Sequence, residues 1–250
     1  VVMSMKNKLF LDMADSMNPN DRNLLDEKIR NKIKTSYYEI DSSNKDRLKK
    51  EEGEYFTITY TDDVLDNFPK YLNKEIIKIL KYFKKKVDNY GTTLIVGLGN
   101  SSIPCDSLGP KTTNKVIPTN HYFDFLTIPK VALFVPEVIG KTGISSFELI
   151  KMLVNYIHPS LIIVIDSLAT NNHKRLNHCI EISNCGIIPG SALKTNKKIS
   201  SKTFNIPLIA IGVPLVIEVD KYMYTSLNIN SYIDKLSDII SSSLNDLFLK

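Results

Sequence analysis

Cysteine is scarce in this chain: Cys105, Cys179 and Cys185 are the three among 250 residues. An odd count, with Cys179 and Cys185 six positions apart, gives no disulfide framework and no zinc-knuckle spacing, so packed, inert thiols in a reducing compartment are expected. Long apolar runs are missing too. None approaches the ~20 residues needed to cross a bilayer, and no charged-then-apolar leader opens the chain, so a cytoplasmic location without membrane contact is expected. A basic stripe is also lacking. The net charge is +5, but the lysines are dispersed, and the short runs Lys84-Lys85-Lys86 and Lys197-Lys198 read as solvated faces rather than as a nucleic-acid surface. No internal repeat or low-complexity tract is present. Complete phosphate motifs are absent as well. In GLGNSSIPCDSLGP, residues 97–110, Ser102 occupies the third glycine position of a dinucleotide fingerprint. The Gly-Lys-Thr at 140–142 lacks the upstream glycine of a P-loop. No nucleotide, metal or other cofactor is therefore expected.

What is there is an ordinary globular composition, 43 % hydrophobic and 24 % charged, long enough to bury a sizeable core. The first fifty residues are polar and charge-rich and read as a peripheral arm with one short helix, followed by a single α/β domain over residues 51–250. EGEYFTITY alternates as a strand. Ile76, Leu80, Phe83 and Val87 share one helical face. A strand–helix rhythm follows, with apolar strands at Leu94–Val96, Val131–Val135, Leu161–Ile165 and Pro207–Val213. Strands so continuously apolar suit a sheet covered on both faces. The fold class expected is α/β: a mostly parallel sheet with helices on both faces, a phosphorylase/hydrolase-like three-layer core. Ser145 and Glu148 suggest a capping box for a helix that carries Ile150, Leu153, Val154 and Ile157 on one face and stops at Pro159. A C-terminal helix aligns Ile233, Leu236, Ile240, Leu244 and Leu247. CIEIS reads as a further strand. Gly140 and Gly143 read as shaping the turn before the 145 helix, and Gly212 and Pro214 as ending a strand.

Two carboxylates stand out. Asp166 closes the apolar run LIIVI, and a buried carboxylate costs several kcal/mol unless it is hydrogen-bonded, paired or used. Asp106 lies in a Pro-Cys-Asp-Ser-Leu-Gly-Pro turn, where an Asx-turn or N-cap role is the plain alternative. If the strands are parallel, both emerge at one sheet edge, where neighbouring like charges push one pKa up and leave the other low. The charged member then activates water and the protonated one donates, which is acid–base hydrolysis without a covalent intermediate. Gly97 and Gly99 allow tight turns just past a strand's carboxyl end. Cys105 would need a base to act as a nucleophile, and none of His121, His158, His173 or His178 stands in a recognisable cysteine-protease context.

The segments GLGN…PCDSLGPKTTNKVI, PEVIGKTGISSFELIK, PSLIIVIDSLAT, RLNHCIEISNCGIIPGSAL and PLIAIGVPLVIEV, in this order, resemble the germination protease family over roughly residues 50–220. The resemblance implies an endopeptidase of spore germination that degrades small acid-soluble spore proteins, with a core shared with the hydrogenase-maturation proteases. It implies assembly as a homotetramer, a location in the forespore or spore core, and an inactive precursor that removes its own N-terminal segment, so residues 1–50 include a candidate pro-segment. It places the catalytic aspartates at Asp106 and Asp166, and Gly97, Gly99, Asn100, Gly190 and Ser191 are taken as shaping or lining the substrate groove. The chain departs from the family pattern at Asn100-Ser101-Ser102-Ile103, where an Asn-Trp-Asn-Val-Thr-like stretch is usual. It departs again around Thr170-Asn171-Asn172, where a basic residue is usual. The alternatives are a metal-assisted peptidase, with His121 or His173 contributing a ligand, and a non-catalytic homologue that binds spore proteins.

Overall fold

Residues 24–40 form a β-hairpin, where an arm with one short helix is expected from the sequence. In the computed structural model, which describes residues 24–45, 51–87, 91–121, 128–187, 198–220 and 222–250, β1 (Leu24–Arg30) and β2 (Ile33–Ile40) pair antiparallel. The turn between them is Asn31-Lys32, both left-handed with φ of 51° and 64°, the backbone that matches a two-residue hairpin to strand twist. Ile33 and Ile40 are buried, and the β-branched and aromatic residues of IKTSYYEI favour a pleated surface over a helix. β3 (Gly53–Thr59), a strand as expected, pairs antiparallel with β2 and buries Tyr55, Thr57 and Ile58. Glu54 on this strand ties the layers together: its carboxylate accepts from Tyr37 Oη at 2.9 Å, from Tyr82 Oη, from Lys86 Nζ at 2.6 Å and from Asn184 Nδ2 at 3.2 Å.

Helix α1 (Pro69–Lys84) starts on a proline, which is tolerated in a first turn where no N–H partner exists. It buries Leu72, Ile76, Ile79, Leu80 and Phe83. Then come β4 (Thr93–Gly97), the short helix α2 (Leu108–Thr113), β5 (Val131–Phe134), α3 (Ser146–Ile157), β6 (Leu161–Thr170), β7 (Cys179–Ser183), β8 (Leu208–Val219), β9 (Tyr222–Tyr224) and α4 (Ile229–Leu249). The sheet runs β1-β2-β3-β7-β8-β6-β4-β5, with β9 alongside the end of β8. Its α/β class is the one expected from the sequence. The parallel pairs are β5–β4, β4–β6 and β6–β8, and the rest of the sheet is antiparallel. The continuously apolar runs are thus the parallel half, and the alternating, more polar strands form a second, antiparallel half.

Helices α1, α2 and α4 cover one face, where Ile163, Ile165, Ile209, Ile211 and Val213 meet Leu80, Phe83, Ile233 and Ile240. Helix α3 covers part of the other face, with Ile150 and Val154 against Val96, Ile162 and Val164. Each such large side chain, fully buried, stabilises the fold by about 1.5–3 kcal/mol. The expected capping box is not formed: Ser145 makes no side-chain cap bond, and Ser146 Oγ instead donates to the Glu137 carbonyl at 2.8 Å. Gly212 and Pro214 lie inside β8 rather than at its end. Proline cannot donate to the ladder, and the register slips by one residue where Leu168 faces Pro214. Gly143, with φ of 72°, closes the single helical turn Ile139–Thr142 ahead of α3.

Candidate active site

Strand lengths decide where the two aspartates stand. β4 ends at Gly97, which faces Ile165 of β6, and Leu98 N–H donates to the Ile165 carbonyl at 2.8 Å. Asp166 is therefore the first residue of β6 beyond the carboxyl end of β4. β6 does not stop there, as LIIVI suggested, but runs on to Thr170 because β8 continues beside it. Asp166 is 8 % exposed. Its neighbour across the ladder is Gly212, whose missing side chain leaves room that Leu168 fills: a Cβ there would meet Leu168 Cδ1 at 2.3 Å. Asp166 Oδ1 accepts the Ser167 N–H at 2.8 Å.

Asp106 is carried on the loop that leaves β4. After Gly97 the chain runs through residues 98–103, makes a single 3₁₀ turn at Pro104–Asp106 and enters α2. Two glycines let this loop fold back on the strand end. Gly99 has φ of +113°, and a Cβ there would lie 2.0 Å from the Asp106 carbonyl oxygen. Gly109, in the first turn of α2, sits so close that a Cβ would lie 2.2 Å from the Leu98 carbonyl and 2.6 Å from that of Ile165. The Asp106 turn is thus fastened over the end of β4, beside the strand that bears Asp166. Asn100 donates its N–H to Asp106 Oδ2 at 2.8 Å, and Asn100 Oδ1 accepts from Ser102 N–H at 2.9 Å. The structure therefore brings Gly97, Gly99, Asn100 and Asp106 together, with Asp166 at the same carboxyl edge. Gly190 and Ser191 lie outside the described residues.

Electrostatics distinguish Asp106 from an ordinary surface carboxylate. Its pKa is raised, chiefly by burial, with the nearby Glu137 charge adding to the shift and the Asn100 N–H opposing it. Glu137 was not singled out in the sequence, where VPEVIG reads as a strand end and turn. It stands just past β5 with φ of 59°, and its Oε2 accepts from Ser101 N–H at 3.2 Å and from Lys141 Nζ at 3.1 Å. Burial pushes the Glu137 carboxyl up, but the bonds from Ser101 and Lys141 outweigh it and hold the group below its ordinary value. The local signal that could have exposed it is the Glu137–Lys141 spacing of four residues.

Cys105 is half-buried against the main core. Burial first, and the adjacent Asp106 second, push its thiol pKa up, which is the opposite of what a thiolate nucleophile requires. His178 Nε2 lies 3.2 Å from Asp62 Oδ1, and His158 caps the end of α3 in a left-handed conformation. His121 and His173 are exposed. Among the described residues no three His, Cys, Asp or Glu side chains gather as a metal site. No helix among them is long and apolar enough to cross a membrane.

Comparison with known proteins adds to this geometry. A family model described as germination protease matches residues 5–236. The germination protease of Oceanobacillus iheyensis is 38 % identical over 200 residues, which cover 74 % of this chain and 54 % of that protein. That of Clostridium acetobutylicum is 35 % identical over 192 residues, covering 72 % of this chain and 58 % of that protein. That of Priestia megaterium is 34 % identical over 206 residues, covering 78 % and 56 %. The chain thus spans about half the length of the curated relatives it matches. Among solved structures, a [NiFe] hydrogenase maturation protease, HycI from Thermococcus kodakarensis, aligns with a TM-score of 0.36 and 15 % identity, covering 61 % of this chain and 92 % of that one.

Proposed function

Since the chain belongs to the germination protease family, we propose that it is an endopeptidase that degrades small acid-soluble spore proteins, with Asp106 and Asp166 as its proton-handling pair. The observation that carries this reading is the early end of β4. It leaves Asp166 as the first residue of β6 past the strand end, and the turn bearing Asp106 is fastened over that same end.

Burial favours the protonated form of Asp106, which suits it as the acid. The base is then assigned to Asp166, the other carboxylate at this edge. In the reaction, water gives one proton to Asp166 while its oxygen bonds to the peptide carbonyl carbon. Asp106 gives its proton to the leaving nitrogen as the C–N bond breaks, and transfer of the proton from Asp166 to Asp106 restores the starting state. No bond forms between substrate and protein. Each proton transfer of this kind contributes roughly 10²–10⁴-fold to rate.

The reading extends to a homotetramer in the spore core, made from a self-cleaving precursor; light scattering of the purified chain tests the assembly. The chemistry is tested by incubating the chain, Asp106→Asn and Asp166→Asn with a small acid-soluble spore protein, with and without chelator. Loss of cleavage in each variant, with unchanged circular dichroism and no effect of chelator, is expected. Wild-type cleavage by either variant overturns the dyad. Sensitivity to chelator with rescue by added metal turns the reading to a metal-assisted peptidase, and binding without cleavage turns it to a non-catalytic homologue.

A further inference from the structure

The loop that presents Asn100 to Asp106 turns on its own bonds, Ile103 N–H to the Asn100 carbonyl at 3.1 Å and Ser102 N–H to Asn100 Oδ1 at 2.9 Å. Ser101, Ser102 and Ile103 are exposed, and two side chains from outside the loop add to the hold on Ser101. Glu137 Oε2 accepts the Ser101 N–H at 3.2 Å, and Lys141 Nζ reaches Ser101 Oγ at 2.7 Å and Glu137 Oε2 at 3.1 Å. The pair grips Ser101 by backbone and hydroxyl at once, one residue from the N–H that lies on Asp106 Oδ2.

The far end of the clamp is itself anchored. The Glu137 carbonyl accepts from Ser146 Oγ at 2.8 Å, at the start of α3. Gly143 N–H donates to the Ile139 carbonyl at 2.8 Å, closing the turn that carries Lys141. Glu137 holds this place in a left-handed conformation, with φ of 59°. A left-handed backbone is uncommon for a residue with a long side chain, and such strain gathers at working sites.

We propose that Glu137, with Lys141, is a positioning residue for Asp106: it holds the Asn100–Ile103 loop so that the Asn100 N–H stays on the acid's carboxylate, and it sets a second negative charge beside that acid. The inference rests on the assignment of Asp106 as the proton donor. It adds a third carboxylate to the rim, one whose role is to shape and bias rather than to touch substrate.

The groups around Asp106 decide how this is tested. Cys105 is its neighbour on the same turn, and Asp166 stands on the adjoining strand β6. α2 and α4, packed against that turn, carry the ion pairs Lys111–Asp234 and Lys115–Asp238. Besides these groups, the Glu137 charge bears on Asp106, together with burial and the Asn100 bond.

The experiment compares Glu137→Gln, Glu137→Gly and Lys141→Met with the parent chain. Cleavage of a small acid-soluble spore protein is followed across pH, together with thermal melting and the ¹³C carboxyl titration of Asp106. Glu137→Gln keeps an acceptor for Ser101 N–H and loses the charge. Its kcat is expected within about threefold of the parent, with the Asp106 titration and the alkaline limb of the rate profile moved to lower pH. Glu137→Gly relieves the left-handed backbone and loses the clamp, so its melting temperature is expected to hold or rise while kcat falls tenfold or more and KM changes little. Lys141→Met, which leaves the backbone alone, is expected to lower kcat by a smaller factor. A parent-like kcat and an unmoved Asp106 titration in both Glu137 variants overturn the inference. The titration needs no turnover: a moved Asp106 midpoint in Glu137→Gln would stand even if Asp106→Asn proved fully active, and in that case the donor assignment alone would fall.

Discussion

Gly99 is the residue whose replacement bears most sharply on how the site is built. Its φ of +113° is one that residues with a Cβ rarely adopt, and an added Cβ would lie 2.0 Å from the Asp106 carbonyl oxygen. Real Cβ contacts stay beyond 3.0 Å, so in Gly99→Ala the turn that carries Asp106 must retreat by about 1 Å. The atom in the way is backbone, which has no rotamer to escape to. Backbone strain of this kind costs about 1–3 kcal/mol, which for a chain of this size lowers the melting temperature by about 2–12 °C. A 1 Å misplacement of a reacting group costs on the order of 10²-fold in rate. Gly99→Ala is therefore expected to fold, to melt a few degrees early and to lose about 10²-fold in kcat/KM on a small acid-soluble spore protein. Gly140→Ala is the control: nothing lies within 4 Å of the added methyl, and both melting and cleavage should match the parent. Parent-like kcat/KM in a folded Gly99→Ala would refute the claim that this loop crossing sets the position of Asp106.

Asp106→Asn should be at least as stable as the parent at neutral pH. Burial raises the Asp106 pKa, so its contribution to stability is fully present below the ordinary value of 3.8 and is lost as pH rises through the folded value; melting curves of the two chains should diverge with rising pH and coincide near pH 3, and a variant less stable at pH 7 would contradict this. Glu54→Ala strands Tyr37, Lys86 and Asn184 without their acceptor and should lower stability by about 1–3 kcal/mol, read from chemical denaturation. The Glu54 carboxyl is pushed up by burial but held below 4.5 overall by its bonds from Lys86, Tyr82 and Tyr37. Its stabilisation is therefore present above that value and lost as pH falls through the folded one, and the gap between parent and variant should close in acid.

Much of the parallel half of the fold was legible in the sequence because its signal is strong. Leu94–Val96, Val131–Val135 and Leu161–Ile165 are apolar on both sides, and strands buried on both faces need that. Helix α3 was legible from Ile150 and Val154 at one helical spacing and from Pro159 beyond its end. The N-terminal hairpin was misread because charge density masked its period of two; the useful signs were Asn31 at the turn and the run Ile33 to Ile40. β6 and β8 extend further than their apolar runs because they pair with each other past the end of β4, and no local pattern encodes where a neighbour stops. The same reason hides Glu137, whose contact with Ser101 spans 36 positions. Asp106 and Asp166 were visible as acidic residues out of place, one in a proline-bounded turn and one in an apolar strand.

The most direct test of the central claim is the pH dependence of kcat/KM for cleavage of a small acid-soluble spore protein by the purified chain. Division of labour between a charged Asp166 and a protonated Asp106 predicts a bell with its maximum on the acid side of neutrality, the alkaline limb falling as Asp106 gives up its proton at a midpoint above 3.8. A rate that climbs without a maximum to pH 9, as an ionising thiol would give, would contradict the account.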